Sequence, residues 1–347
     1  MSDISSVRFR FDQWRCFLKN TVSTKLAALI LCMVCTIFAS DSAFGQAGKA
    51  GAFLRLGVGA RAKAMGDAYT ALARGVEASY YNPAGLPLLQ SKEIVASYWL
   101  LSLDRQFTYV GFGLPVRPPA DSSGRSAFDG GFSLSWIHAG VDNIDGRDSD
   151  GNSFDLSNSE DAFVFSFALS PHKKLALGLS VKVLWNRIPD VGIDGQTISA
   201  TGVGFDFGAL LTPTPWVTLG LSVRDINSGY SWNTQDVYGG DQGASDVNKF
   251  PKIVRVGAAF KPPQISGVVF AVDFEDSKEF DSRIHFGAEG SFGYNLVIRS
   301  GYDAGSLTAG AGYGFGVFGK MAQINYAFAA AGDRPESEHV FSWVFQF

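Results

Sequence analysis

The chain has 347 residues, 46% of them hydrophobic, 14% aromatic and 18% charged, with a formal net charge of −4. So low a charged fraction, against ~25% in a typical soluble domain, argues against an ordinary soluble enzyme. The net charge leaves no basic footprint for nucleic acid, and 29 Phe, 11 Tyr and 7 Trp beside 40 Gly exclude a disordered or collagen-like chain.

At the N-terminus, Arg8, Arg10, Arg15, Lys19 and Lys25 precede a charge-free run, LAALILCMVCTIFAS, over 26–40. Ala43-Phe44-Gly45 then supplies a small-x-small cleavage pattern before Gln46. This predicts a secretory signal peptide over 1–45, the apolar run being short for a ~30 Å bilayer core. All three cysteines, Cys16, Cys32 and Cys35, fall in that segment. The mature chain therefore offers no disulfide, thiolate metal site or cysteine nucleophile.

Residues 46–92 do not alternate like strands. Stretches around Ala60–Met65 and Asp67–Ala73 are helix-compatible, and Gly57, Gly59, Gly66 and Gly75 punctuate them. Asn82-Pro83-Ala84-Gly85 reads as a tight turn in which Pro83 presets φ and Gly85 permits a positive one. Small residues and glycine suit packing in a confined space, which predicts a hatch or plug over 46–92. A periplasmic lead-in helix is the alternative.

From residue 93 onward, segments of about ten residues alternate large apolar with small or polar side chains. The clearest is Leu175 to Asn186. There Leu175, Leu177, Leu179, Val181, Val183 and Trp185 share one face, and Ala176, Gly178, Ser180, Lys182, Leu184 and Asn186 the other. Fourteen strands are predicted, near 93–102, 107–116, 130–140, 161–170, 174–187, 202–212, 216–226, 252–262, 266–275, 283–292, 295–303, 306–316, 319–330 and 339–347. From the third connection onward, long and short links alternate: 141–160 then 171–173, 188–201 then 213–215, 227–251 then 263–265. A soluble sandwich has no reason to keep that parity, whereas outer-membrane barrels combine an even strand number with short turns at one end and long loops at the other. The prediction is an all-β, 14-stranded antiparallel transmembrane barrel over 93–347, set among outer-membrane lipid. The apolar faces should meet lipid, because charges there cost about 2–4 kcal/mol at the midplane. Lys182, Arg224, Arg255, Asp273, His285, Glu289, Arg299 and Gln323 all fall on the opposite, lumen-facing register.

No catalytic constellation emerges. Of His138, His172, His285 and His339, only His285 shares the lumen register, near Glu289, and it reads as a solvated lumen histidine with no positioned nucleophile. The loop Asp145-Gly146-Arg147-Asp148-Ser149-Asp150-Gly151-Asn152 fails the EF-hand template, since counting from Asp148 puts Gly151 at position four and Ser159 at twelve. A solvated turn is its default reading and a non-EF-hand calcium site the alternative. Gly310-Ala311-Gly312-Tyr313-Gly314 opens no helix, so no nucleotide fingerprint is present. No metal, cofactor or enzymatic activity is expected.

Phe53 to Arg61 (FLRLGVGAR), Ala64-Met65-Gly66-Asp67-Ala68 and Tyr81-Asn82-Pro83-Ala84-Gly85-Leu86 resemble the opening of PorV/PorQ family outer-membrane proteins. Those are similar in fold to FadL-type hydrocarbon transporters. Pro251 to Gly257, Arg299 to Tyr302, Leu307 to Gly310 and the closing His339 to Phe347 agree, so the resemblance covers 51–347. One departure is Ala73-Arg74-Gly75 where the family carries an acidic pair. The resemblance implies fourteen strands with an N-terminal hatch, and a terminal aromatic read by the outer-membrane insertion machinery, here Phe347 with Phe345 before it. It also implies a partner-binding role, holding cargo or subunits of type IX secretion through a rim of loops 141–160 and 227–251 with Phe154, Tyr230, Trp232 and Tyr238. The alternative is FadL-like transport of a small hydrophobic ligand.

Overall fold

The computed structural model describes residues 49–119, 128–147, 153–191, 196–234, 245–293, 295–332 and 336–347. The signal segment 1–45, residues 148–152 of the acidic loop and Tyr238 lie outside them. Among the described residues, sixteen strands form one sheet. They are β1 (Glu93–Leu100), β2 (Arg105–Val116), β3 (Asp129–Arg147), β4 (Ser153–His172), β5 (Leu175–Val191), β6 (Gln196–Thr214), β7 (Val217–Ile226) and β8 (Gly229–Asn233). The rest are β9 (Ser245–Lys249), β10 (Ile253–Phe260), β11 (Val268–Ser277), β12 (Arg283–Phe292), β13 (Leu296–Asp303), β14 (Ser306–Val317), β15 (Lys320–Ala329) and β16 (Glu338–Gln346).

Fourteen of these close into an antiparallel barrel: β1 pairs with β16, β5 with β6, and β7 with β10. The remaining two, β8 and β9, form a hairpin on the end of β6, joined by the Ala200–Trp232 and Thr201–Ser231 pairs. Closure gives every barrel strand two partners, which a bilayer demands because it offers the backbone no hydrogen bonds.

Successive side chains on each strand point to opposite faces, and the two faces differ in kind. On β5, Leu177, Leu179 and Trp185 are exposed on the outside while Ser180 and Lys182 are buried within. Leu219 and Leu221 face out from β7, with Ser222 and Arg224 inside. The outer belt continues through Val256, Phe274, Ile284, Ile298, Leu307, Ile324 and Trp343. An apolar surface around a closed barrel is stable only in lipid. The protein is a multi-pass barrel of the bacterial outer-membrane type.

Strands β3 to β6 run for 19, 20, 17 and 19 residues, well beyond the about 9–11 that cross a bilayer. Segments 141–160 and 188–201, predicted as loops, are therefore largely paired strand, with a bulge between Val141 and Ile144. On the β3 and β4 extensions nearly all side chains are exposed or only partly buried on both faces, so the hydrophobic alternation vanishes while the backbone ladder continues. The predicted 227–251 loop likewise contains β8 and β9. These extensions rise at the end opposite the start of β1 and the end of β16.

The chain from Gln46 onward has no cysteine, so single cysteines report cleanly on the wall. Cysteines replacing Leu179 and Leu221 should be quenched by lipid-soluble nitroxide and resist an aqueous maleimide. Those at Ser180 and Ser222 should escape the lipid quencher. Equal aqueous labelling of Leu179 and Leu221 with an exposed position such as Lys174 would contradict a lipid-facing belt.

Candidate functional site in the barrel lumen

Residues 49–92 fold into short pieces: a 3₁₀ turn at Ala52–Arg55, a helix at Ala60–Ala64, a helix at Ala78–Tyr81 and a 3₁₀ helix at Pro83–Leu88. Gly59 enters the first helix at φ +75°. Gly66 and Asp67, at φ +64° and +58°, turn the chain out of it. Residues 67–73, helix-compatible by composition, are turns instead. The physical reason is tertiary: the N–H groups of Tyr69 and Thr70 donate to the Asp273 carboxylate on β11, at 2.9 and 2.8 Å, which removes their need for helical partners.

The segment touches the inner face of all fourteen barrel strands. The Val76 N–H donates to Glu93 on β1 at 2.8 Å, and Tyr109 on β2 donates back to the Val76 carbonyl at 3.1 Å. Ser79 shares a hydrogen bond with Ser135 on β3, and Ser180 on β5 donates to its carbonyl. Pro83–Leu88 packs along β4, and Asn82 Nδ2 donates to the Ala209 carbonyl on β6. Thr70 abuts Gly220 on β7 and Gly257 on β10. Past Asp273, His285 Nδ1 on β12 lies 3.1 Å from the Gly66 carbonyl oxygen. Thr308 on β14 donates to the Ala64 carbonyl, and the Ala60 N–H donates to Ser342 Oγ on β16, at 3.1 and 3.2 Å. The Ala60–Ala64 helix lies on β15, and Lys63 reaches Asp303 on β13.

Such close approach requires missing side chains. A Cβ on Gly66 would lie 2.5 Å from the Phe286 carbonyl oxygen and from the Tyr302 backbone. Gly66→Ala should therefore cost about 1–3 kcal/mol from overpacking on top of roughly 1–2 for the left-handed backbone. Thermal unfolding in detergent measures it; an unchanged midpoint would mean that the segment is not held there.

Buried ion pairs join segment to wall and neighbouring strands of the wall to one another. Arg61 grips Glu289 with two parallel hydrogen bonds, Nε to Oε2 at 2.8 Å and Nη2 to Oε1 at 2.9 Å. Arg299 donates to the same carboxylate at 2.7 Å and to Asn325 at 3.0 Å, and Arg74 lies 4.0 Å away. Lys63 meets Asp67 and Asp303 at 3.2 Å and Glu338 at 3.4 Å, beneath the Trp99 ring. Arg255 pairs with Glu275 and donates to the Asp67 carbonyl at 3.1 Å. Arg224 lies over Tyr80. Lys182 sits between Asp206 and Asp225, at 2.8 and 2.6 Å. Burying so many charges is tolerable only because each has an opposite partner or several hydrogen bonds. Among the described residues no three acidic or imidazole groups converge as metal ligands.

The positions singled out in the sequence fall as follows. Lys182, Arg224, Arg255, Asp273, His285, Glu289 and Arg299 are all buried on the inner face. Gln323 lines a cavity of about 450 Å³ at the end where β16 finishes. His285 is 1% exposed and sits 3.0 Å from Asp303, so it is a packed histidine and not the solvated one expected. The N–H of Gly57 donates to Tyr80 at 3.1 Å, and Met65 is fully buried against Gly287. Asn82 caps the turn at Pro83 by accepting the Ala84 N–H, and donates to the Thr70 carbonyl. Gly85 does not adopt the positive φ that the turn reading assumed. It lies inside Pro83–Leu88, where any Cβ would strike the Ala73 carbonyl. Phe345 and Phe347 stack at 5.6 Å at the end of β16. Sequence reasoning missed Lys63, Asp67, Asp206, Asp225, Asp303 and Glu338. Two of them carried a usable signal: Asp206 alternates with Gly204 and Gly208 on one face of β6, and Asp303 shares the register of Arg299 and Gly301 on β13.

No protein-family model matches the chain, and no curated protein sequence does. Its fold matches solved structures closely enough to be informative. The P. putida toluene transporter TodX aligns at 16% identity over 84% of this chain and 99% of that one, with a TM-score of 0.54. The monoaromatic hydrocarbon channel CymD gives 15% identity, 84% and 98% coverage and the same TM-score, 0.54. A Pseudomonas aeruginosa FadL homologue gives 11% identity, 80% and 95% coverage and 0.53. At these identities the likeness is one of fold. It corrects the PorV/PorQ resemblance: the solved structures that share this fold are hydrocarbon channels and a FadL homologue, and the secretion-cargo role inferred from the opening motif falls with the resemblance. The short motifs behind it mark where the segment must turn or approach the wall, a need that any barrel with a filled lumen shares.

Proposed function

We propose that this protein is a non-catalytic outer-membrane channel for small hydrophobic molecules, with residues 46–92 as the hatch that fills its lumen and 93–347 as the conducting wall. The observation that carries this reading is the segment's contact with the inner face of all fourteen strands, within a barrel of FadL-type fold. A filled lumen is unlike an open diffusion pore, which passes ions and polar solutes freely. A channel of this build excludes them and admits a solute only as the hatch yields. The polar contacts between hatch and wall suit that task, since ion pairs can exchange partners where an apolar core would lose area outright. The terminal Phe345-Gln346-Phe347 would serve as the insertion signal.

Uptake tests the reading. Cells lacking other hydrocarbon channels, with and without this barrel, are offered labelled toluene and, as the control, a labelled small polar sugar. Faster toluene entry with the barrel, and no gain for a small polar sugar, is the expected result. Equal toluene entry in both strains would overturn it.

A further inference from the structure

The ion-pair clusters of the lumen leave one buried acid out. Glu77, which precedes the hatch helix Ala78–Tyr81, is 5% exposed. Among the described residues its carboxylate takes part in no hydrogen bond and no ion pair. It packs on Gly59, where the chain enters the helix Ala60–Ala64 and any Cβ would collide with it. A carboxylate buried without partners is costly as an anion, so it favours the protonated form.

Its surroundings decide what that proton controls. Glu93 on β1 fastens the hatch to the closing seam of the barrel, accepting from the Val76 N–H at 2.8 Å and from Gln346 on β16 at 2.9 Å. Val76 directly precedes Glu77, so this fastening and the unpaired acid share one turn of the hatch. The cations that face Glu77 are Arg61 and Arg74 of the hatch and Arg299 of β13. Tyr69 of the hatch and Tyr109 of β2 face it too. Arg61 and Arg299 are both engaged by Glu289 on β12. Burial first, and then the like charge of Glu93, push the Glu77 carboxyl up to about 7 against the pull of the three arginines.

We propose that Glu77 is a proton-operated latch on the hatch: protonated, it leaves Arg61 on Glu289 and the hatch seated; ionised, it repels Glu93 and competes for Arg61, and the hatch lets go of the wall. The inference rests on the reading of 46–92 as a hatch and deepens it by naming what releases it. In a released hatch Glu77 meets water and its carboxyl returns to about 4.5, so the seated state holds the proton more tightly. Stabilisation of the seated hatch is therefore complete below about pH 4.5 and is lost as pH rises through about 7.

The test uses the full-length mature protein in lipid nanodiscs with one cysteine, Val58→Cys, at a fully buried hatch position. Its labelling by an aqueous methanethiosulfonate is divided at every pH by that of Lys174→Cys on an exposed turn, which cancels the titration of the thiol itself. The ratio should rise about tenfold or more between about pH 5 and pH 8. Glu77→Gln should hold it at its acid value throughout. Glu93→Gln, whose side-chain oxygen still accepts the Val76 N–H, should shrink the rise because the like charge is gone. A flat wild-type ratio, a rise that Glu77→Gln retains, or one that Glu93→Gln leaves in full overturns the inference. Infrared absorption of the cysteine-free protein reads Glu77 without any labelled variant. A protonated-carboxyl band that fades near neutral pH and is missing from Glu77→Gln is expected, and its absence also overturns the inference. The hatch and channel readings fail on other results: a folded, truncated barrel that conducts no better than the intact one, or toluene uptake that does not depend on the barrel.

Discussion

Deleting residues 49–90 is expected to turn a barrel with little ionic conductance into one with discrete, stable pore openings. A fourteen-stranded wall is wide enough to hold water once its lumen is cleared, so the rise should be about an order of magnitude or more. Planar-bilayer recording of the intact and truncated barrels measures it. The wall's inner face is buried against the segment along every strand, so truncation will also lower stability. Heat-modified migration on a gel shows which preparations remain folded before conductance is read. A folded, truncated barrel that conducts no better than the intact one would mean that the segment does not seal the lumen.

The second large effect centres on Glu289. Its carboxylate accepts from Arg61 at 2.8 Å and Arg299 at 2.7 Å, with Arg74 at 4.0 Å. Glu289→Ala would leave clustered arginines without their common counter-charge, and breaking a buried pair in this way costs about 3–5 kcal/mol. Arg61→Leu made together with Glu289→Gln should cost far less than the sum of the two single changes, because the buried charge and its partner leave together. Urea unfolding in detergent of the two single variants and the double variant measures the coupling. Additive losses would show that Arg61 and Glu289 do not act as a pair.

Much of the wall was legible because lipid imposes a strict rule on it. On Leu175–Val191 the alternation of leucine and valine with Ser180 and Lys182 fixes both the strand and its faces, since a one-residue slip would drive a lysine into hydrocarbon. The same rule separated Arg255, Asp273, Glu289 and Arg299 from their apolar neighbours. It stopped working where the membrane stops: the upper halves of β3 and β4 are paired strand whose side chains are exposed or only partly buried on both faces, and the β6 extension and β8 bury Ile198, Ala200 and Tyr230 without a lipid-facing apolar side to mark them.

Inside the barrel the sequence determined the kind of material and not its arrangement. Glycine, alanine and short polar side chains in 46–92 imply tight packing against something. That Gly66 must be glycine follows only from the backbone of β12 and β13 lying against it, and that 67–73 is not a helix follows only from Asp273 capturing two of its N–H groups. Arg61 and Glu289 are 228 residues apart, as are many partners in this lumen by comparable distances, and no local pattern connects them. Barrel closure brings them together. Hydrophobic alternation is a property of one strand and one solvent, readable along the chain. Ion pairing across a filled lumen is a property of curvature, register and strand number acting at once, and so only the tertiary structure decides it.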